Sequence, residues 1–342
     1  MTAALGRTEE AGPTEADWSA AVDAIRSVGP DSPILLGCHV NPDGDALGSM
    51  LGFGLGLRRL GLRAVQATFP GPLEVPEPFQ ALPGLDLLVA ETEAIEKPEL
   101  MLCFDAASPS RLGAVASRLG PMSIVLDHHA SFTGFGGIRL VDPRAAATSV
   151  VAEQLLARLG VPLDAEIAEC LYVALATDTG SFRFDMTTPE VHELAARLLA
   201  TGISPAEISR RIFDNRPFGA VRLFGEVLGR AQLEPAEAGG RGLVWTYATL
   251  DDLARHGQRP WVLEALIDGV RCAEEADVAC VVKQVAPDQW AVSMRSKGGV
   301  DLSRVAAALG GGGHRLAAGF TGQGSADDVM SAIRRELALP AT

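Results

Sequence analysis

Lysine is almost missing from this chain. Its 342 residues hold three, Lys97, Lys283 and Lys297, against 43 aspartates and glutamates, for a formal net charge of −14. Affinity for a phosphate backbone is built from many Lys and Arg contacts, so the composition argues against a track for long nucleic acid, duplex included. Any phosphates the chain handles are few and neutralised locally, which points to small phosphorylated substrates. Cysteine is also sparse, with Cys38, Cys103, Cys170, Cys272 and Cys280 scattered in apolar segments and never spaced as CxxC. That pattern argues against a disulfide framework or a thiolate zinc site and predicts buried free thiols in a reducing cytoplasm. Apolar runs of about 18 residues are absent, so no membrane span is expected. Residues 1–13 are small and polar, a frayed tail and not a signal peptide.

What is present is apolar mass in short pieces. A 47% hydrophobic content over this length supplies two cores and predicts two domains. After a lead-in helix over 15–28, residues 33–38 read as a strand, 46–60 as a Gly- and Leu-rich helix and 63–68 as a second strand. Residues 70–83 carry five prolines in fourteen positions and are read as a surface loop. Further strands at 100–104 and 123–126 and helices at 148–159 and 164–176 complete an alternation that predicts a parallel sheet covered on both faces. Helices at 189–199 and 205–213 connect to a second domain from about residue 218. That domain reads as mixed α/β, with strands at 243–249, 276–285 and 290–294 and helices at 261–268, 302–309 and 326–337.

Three of the apolar runs end in acids or imidazoles. Ile34-Leu35-Leu36-Gly37-Cys38 is followed by His39, Asn41, Asp43 and Asp45; Leu100 to Phe104 by Asp105; and Ser123 to Leu126 by Asp127-His128-His129. A further acid, Asp178, lies just past the helix 164–176, in Thr177-Asp178-Thr179-Gly180-Ser181-Phe182-Arg183. In open α/β sheets ligands bind beyond the carboxyl ends of the strands. Carboxylates with a minority of imidazoles and no thiolates suit Mn²⁺ or Mg²⁺ rather than structural zinc. The donors exceed what one ion needs, and a pair of ions sharing a carboxylate would use them in phosphoryl chemistry. Each piece also has a plain reading: Asp43, Asp45 and Asp105 as helix caps, the run Gly310 to Gly313 as a hinge, Phe182 and Phe184 as core packing, and His192 and His256 as solvated.

The ordered set His39/Asp43/Asp45, Asp105, Asp127-His128-His129 and Asp178 in ATDTGSF resembles the DHH phosphoesterase superfamily. Residues 295–320, RSKGGVDLSRVAAALGGGGHRLAAGF, are similar to the DHHA1 domain that accompanies it. The resemblance implies a Rossmann-like, mostly parallel DHH domain over 14–188, a helical linker over 189–217, and a smaller mixed α/β DHHA1 domain over 218–338, with the active site in the interdomain cleft. It implies two divalent cations, Mn²⁺ first, with Mg²⁺ or Co²⁺ as alternatives. One would be held by His39, Asp43 and Asp105 and the other by Asp45, Asp105, His128 and Asp178. His129 is left to bond a phosphate oxygen, and Asp127 to orient a histidine; which histidine of the pair binds metal comes from the family and not from spacing. Asn41, Arg183, Arg295, Ser296, Gly311, Gly312, Gly313, His314 and Arg315 are the expected substrate-binding residues.

The compact two-domain members of that superfamily imply hydrolysis of short RNA, pApA included, from the 5′ end to mononucleotides. They also imply dephosphorylation of 3′-phosphoadenosine 5′-phosphate (pAp) to AMP, with cyclic di-AMP as an extension and a homodimer as the assembly. The alternatives are a family II-type inorganic pyrophosphatase or exopolyphosphatase and a non-catalytic nucleotide sensor. A lysine-rich anion pocket, expected of the former, is absent from the sequence.

Overall fold

The computed structural model describes residues 12–339. It divides into two compact units, the first ending at Asn215 and the second beginning at Arg216.

The first unit is built on five parallel strands: β1 (Ile34–Cys38), β2 (Val65–Thr68), β3 (Leu100–Phe104), β4 (Ser123–Asp127) and β5 (Ile138–Val141), in the order β2-β1-β3-β4-β5. β1, β3 and β4 are buried at every position, as strands covered on both faces must be. Against one face pack α1 (Glu15–Ser27), α2 (Gly44–Arg59) and α3 (Thr148–Leu159), with α4 (Ala165–Asp178) laid over α2 and α3 and α5 (Pro189–Leu199) against α4, around a core that includes Phe53, Phe104 and Leu171. The other face is covered more thinly by the 3₁₀ segment Pro109–Arg118 and by Phe132 and Phe135, over Met101, Cys103 and Val125.

The second unit is a six-stranded mixed sheet of β6 (Gln232–Glu234), β7 (Leu243–Ala248), β8 (Val278–Ala286), β9 (Gln289–Ser296), β10 (Gly312–His314) and β11 (Ala317–Gln323), in the order β10-β11-β9-β8-β7-β6. Only β7 and β8 pair in parallel. Period-two alternation splits β8 between two cores. Val278, Cys280 and Val282 face the helices Leu302–Ala308 and Ala326–Ala338, while Ala279 and Val281 face Phe218–Gly229 and Leu266–Val270.

The α/β class and the parallel first sheet are as the sequence predicts. Several details differ. β5 and β6, four and three residues long, are too short to read from the sequence. The glycine run is not a free loop, because Gly312–His314 pairs with β11. A Cβ at Gly313 would lie 2.6 Å from the Ala317 carbonyl oxygen, and one at Gly311 would collide with that of Gly319. Cys272 is exposed, unlike the other four thiols. His256 is not solvated: its Nε2 donates to Glu226 Oε2 at 2.8 Å. Among the described residues no helix is long and apolar enough to cross a membrane.

Candidate metal centre

The polar residues that follow β1, β3 and β4 converge. β1 runs into a turn in which Asn41 adopts φ 53° and Asp43 caps α2, accepting from the Ala46 N–H at 3.0 Å. His39 is buried, with Nδ1 2.8 Å from the Val40 carbonyl oxygen. A proton on Nδ1 leaves Nε2 as the free lone pair, and Nε2 lies 3.3 Å from Asp105 Oδ2 and 3.7 Å from Asp43 Oδ2. His39, Asp43 and Asp105 form one group of candidate ligands.

Asp105 belongs to a second group as well, with Asp45 and His128. Its left-handed backbone, φ 54°, is uncommon for a non-glycine residue. His128 is held by the Ala145 carbonyl, which accepts from Nδ1 at 3.1 Å. Its Nε2 then faces Asp178 Oδ2 at 3.3 Å, Asp105 Oδ1 at 3.6 Å and Asp45 Oδ2 at 3.7 Å. Such a second hydrogen bond on the far nitrogen is the usual way a protein fixes a ligating imidazole. Asp127 bonds the other histidine: His129 Nδ1 donates to Asp127 Oδ1 at 2.7 Å, and the backbone N–H groups of His128 and His129 donate to the same oxygen. The second oxygen of Asp127 is buried with no hydrogen-bond partner.

Two contributors were not legible in the sequence. α3 has Ala147 at its cap position, a residue with no polar side chain to serve there. Asp45 caps it from α2, accepting from Thr148 N at 2.7 Å and Ser149 N at 3.2 Å, while Thr148 Oγ1 donates to Asp105 Oδ1 at 3.0 Å. Arg111 lies 3.0 Å from His39 Nδ1. An Ala-Ala-Thr-Ser helix start and an arginine six residues after an acid carry no signal of their own. Of the remaining predicted residues, Arg183 follows a left-handed run at Gly180, Ser181 and Phe182 and donates to the Gly180 carbonyl at 2.5 Å. In the second unit Arg295, Ala317 and His314 form one row across β9, β11 and β10. The Ser296 hydroxyl is engaged in the turn that follows, donating to Asp277 Oδ2 and accepting from Gly298 and Val300 N–H, and Arg315 braces that turn through the Gly298 carbonyl.

The electrostatics of the cluster call for cations. Burial, together with the charges of Asp105, Asp178 and Asp43, pushes the Asp45 carboxyl well above its ordinary range. Burial, opposed by His128 and reinforced by Asp105 and Asp43, holds Asp178 at about 6. Burial would lower His39, but its bonds to Asp105 and Asp43 outweigh this and raise it to about 10. Asp105 goes the other way: His39, His129 and His128 overcome its burial and hold it below the usual range. Asp43, Asp45, Asp105 and Asp178 together carry four negative charges when ionised, which two divalent ions balance, and the oxygen and imidazole donors suit Mn²⁺, Mg²⁺ or Co²⁺. The residues present therefore fit such a pair.

A pH dependence follows. Protons on Asp178 and His39 occupy the lone pairs a cation needs, and both leave as pH rises, so cation affinity rises with pH. Below about pH 6, where Asp178 is protonated, Mn²⁺ affinity is expected to fall by about tenfold per pH unit for each competing proton. Calorimetry at several pH values, in buffers of different ionisation enthalpy, should show proton release on Mn²⁺ binding at pH 7. Affinity that stays flat from pH 5 to 8 would contradict the ligand set.

A parallel sheet with this acid and imidazole cluster at its strand ends, in a chain that carries a second mixed domain, defines a hydrolase of phosphoester bonds. The chain belongs to the DHH family: the model of the DHH family, N-terminal domain, matches residues 33–175 and that of the DHHA1 domain matches 246–338. It is 35% identical over 312 residues to the bifunctional oligoribonuclease and PAP phosphatase NrnA of Thermus thermophilus, covering 90% of this chain and 91% of that one. It is 28% identical over 311 residues to the protein of the same name from Bacillus subtilis, covering 87% and 91%. The fold matches the crystal structure of an exopolyphosphatase-related protein from Bacteroides fragilis with a TM-score of 0.82 at 22% identity, over 95% of this chain and 96% of that one.

Proposed function

We propose that this protein trims short oligoribonucleotides, pApA among them, from the 5′ end to mononucleotides and dephosphorylates pAp to AMP, with cyclic di-AMP as a further substrate. The observation that carries the reading is Asp105, whose carboxylate belongs at once to the group of His39 and Asp43 and to that of Asp45 and His128. The full-length likeness to the two NrnA relatives supports the substrate class.

In this reading His39, Asp43 and Asp105 hold one divalent cation and Asp45, Asp105, His128 and Asp178 the other, Mn²⁺ being the native ion. The pair, when bound, supplies Lewis acidity and a lowered pKa for water at the reacting phosphorus. The side chains do the remainder. Thr148 and Ser49 fix the rotamers of Asp105 and Asp45 by hydrogen bonds. Asp127 holds the His129 proton on Nδ1 and turns that ring, which is raised to about 9 against the pull of its burial by Asp127, Asp105 and Asp178. His129 is then a cationic donor to a phosphoryl oxygen. Asn41 and Arg183 add donors at the same centre. Arg295, Gly311, Gly312, Gly313, His314 and Arg315 of the DHHA1 domain bind the far end of the substrate, Ser296 serving by shaping the turn beside them, a division of labour that favours short strands.

The test is turnover of 5′-phosphorylated oligoribonucleotides of graded length, with pAp, cyclic di-AMP and pyrophosphate alongside, by purified protein in Mn²⁺. Di- to pentanucleotides and pAp are expected to be the best substrates. Equal rates on long strands, or pyrophosphate as the preferred substrate, would overturn the proposal.

A further inference from the structure

Arg111 has no role in the reading above, yet its guanidinium touches the cluster. The backbone holds it there: Arg111 N–H donates to Ser108 O at 3.0 Å, and its carbonyl accepts from Val40 N at 2.9 Å, zipping the segment after Asp105 to the turn after β1. Its Nη2 lies 3.0 Å from His39 Nδ1, a nitrogen that also lies 2.8 Å from the Val40 carbonyl oxygen. One ring nitrogen cannot accept from Arg111 and donate to Val40 together. For Nε2 to offer its lone pair to a cation held jointly with Asp43 and Asp105, the proton must sit on Nδ1 and go to Val40. Arg111 then has no acceptor on the ring, and among the described residues it forms no ion pair with a carboxylate. In a chain with 43 acidic residues, a guanidinium beside a carboxylate cluster with no carboxylate of its own is waiting for a different anion.

We infer that Arg111 binds the reacting phosphoryl group, donating to its non-bridging oxygens from the His39 edge of the cluster. A planar fork of N–H donors matches two phosphoryl oxygens. Fixed positive charge there acts most strongly as charge accumulates on those oxygens in the transition state. The inference deepens the proposed hydrolysis and rests on it. It differs from a role in which Arg111 merely holds His39, because that role would be read in cation affinity and this one in anion affinity.

The experiment uses the Mn²⁺-loaded protein and the variants Arg111→Met and Arg111→Lys, each checked for an unchanged far-ultraviolet spectrum. Arg111→Met is expected to lower kcat/KM on pAp by about 100-fold, with Arg111→Lys in between. It should also weaken inhibition by inorganic phosphate about tenfold while leaving the calorimetric Kd for Mn²⁺ within about twofold. An unchanged phosphate inhibition constant, or a Mn²⁺ Kd that weakens in step with activity, would assign Arg111 to His39 and overturn the inference. If the unmodified protein turns over neither pAp nor short RNA, the substrate reading fails instead. Direct binding of inorganic phosphate, compared between the unmodified protein and Arg111→Met, then still decides for or against Arg111.

Discussion

Asp105→Ala is expected to lower kcat on pAp and on dinucleotides by on the order of 10³-fold or more, about 4 kcal/mol of lost transition-state stabilisation. Its carboxylate is met by three imidazoles and a hydroxyl: by His39 Nε2 at 3.3 Å, by His128 Nε2 and His129 Nδ1 at 3.6 Å, and by the Thr148 hydroxyl at 3.0 Å. Its depressed pKa, the work of the three histidines against its burial, keeps it ionised and available to a cation at any working pH. The alanine variant also places a Cβ residue without a polar side chain at φ 54°, at a cost of about 1 kcal/mol. Asp105→Asn is therefore the cleaner partner. Asparagine tolerates the left-handed region and can still accept from Thr148, so the fold persists while the charge is gone. Both variants should bind fewer Mn²⁺ ions per chain. An asparagine variant that keeps kcat within tenfold would remove Asp105 from the shared position.

The cluster was largely legible because its residues interrupt a pattern. A buried parallel strand is a run of apolar side chains, so an acid or an imidazole at its end stands out, as at His39, Asp105 and Asp127. What surrounds those residues follows no such rule. Thr148 and Ser149 act through backbone N–H groups, which every residue has, and their partner Asp45 is 103 positions away from Thr148. Ala145 contributes a carbonyl only. Arg111 reads as one more surface arginine until the turn after β1 is seen to be tied to it. The glycine run failed as a loop for a related reason: its glycines admit the backbone of β11 at close range, a requirement set by the neighbouring strand. Asp127 illustrates a finer limit. Its place beside two histidines was readable, but only geometry shows that it bonds the ring of His129 and leaves that of His128 to Ala145.

The same logic, in which the neighbour decides, gives the largest stability effect. α2 and α4 run antiparallel, with Gly44 against Thr177, Gly48 against Cys170 and Ala174, and Gly52 against Cys170 and Leu171. At a spacing of four these glycines form one stripe of α2. A Cβ on Gly48 would collide with the Cys170 carbonyl oxygen and lie 2.9 Å from the Ala174 Cβ and 3.1 Å from its nitrogen, so backbone and not a flexible tip blocks it. Gly48→Val must push the helices apart, at a cost of about 3 kcal/mol. Even Gly48→Ala, which gains about 1 kcal/mol of helix propensity, is expected to melt lower than the parent. By contrast Gly225→Ala, in the helix Phe218–Gly229 with nothing within 4 Å of the added carbon, should melt at the same temperature or higher. The stripe also sets the chemistry. It brings Asp45 in the first turn of α2 and Asp178 in the last turn of α4 to one end of the helix pair, where His128 Nε2 meets them at 3.7 and 3.3 Å. A separation of about 1 Å at that end is enough to cost roughly 10²-fold in rate. Gly48→Ala should therefore lose activity at temperatures well below its own melting point, with Mn²⁺ binding weakened. Were it to keep full kcat while melting lower, the close approach of α2 and α4 would serve stability alone.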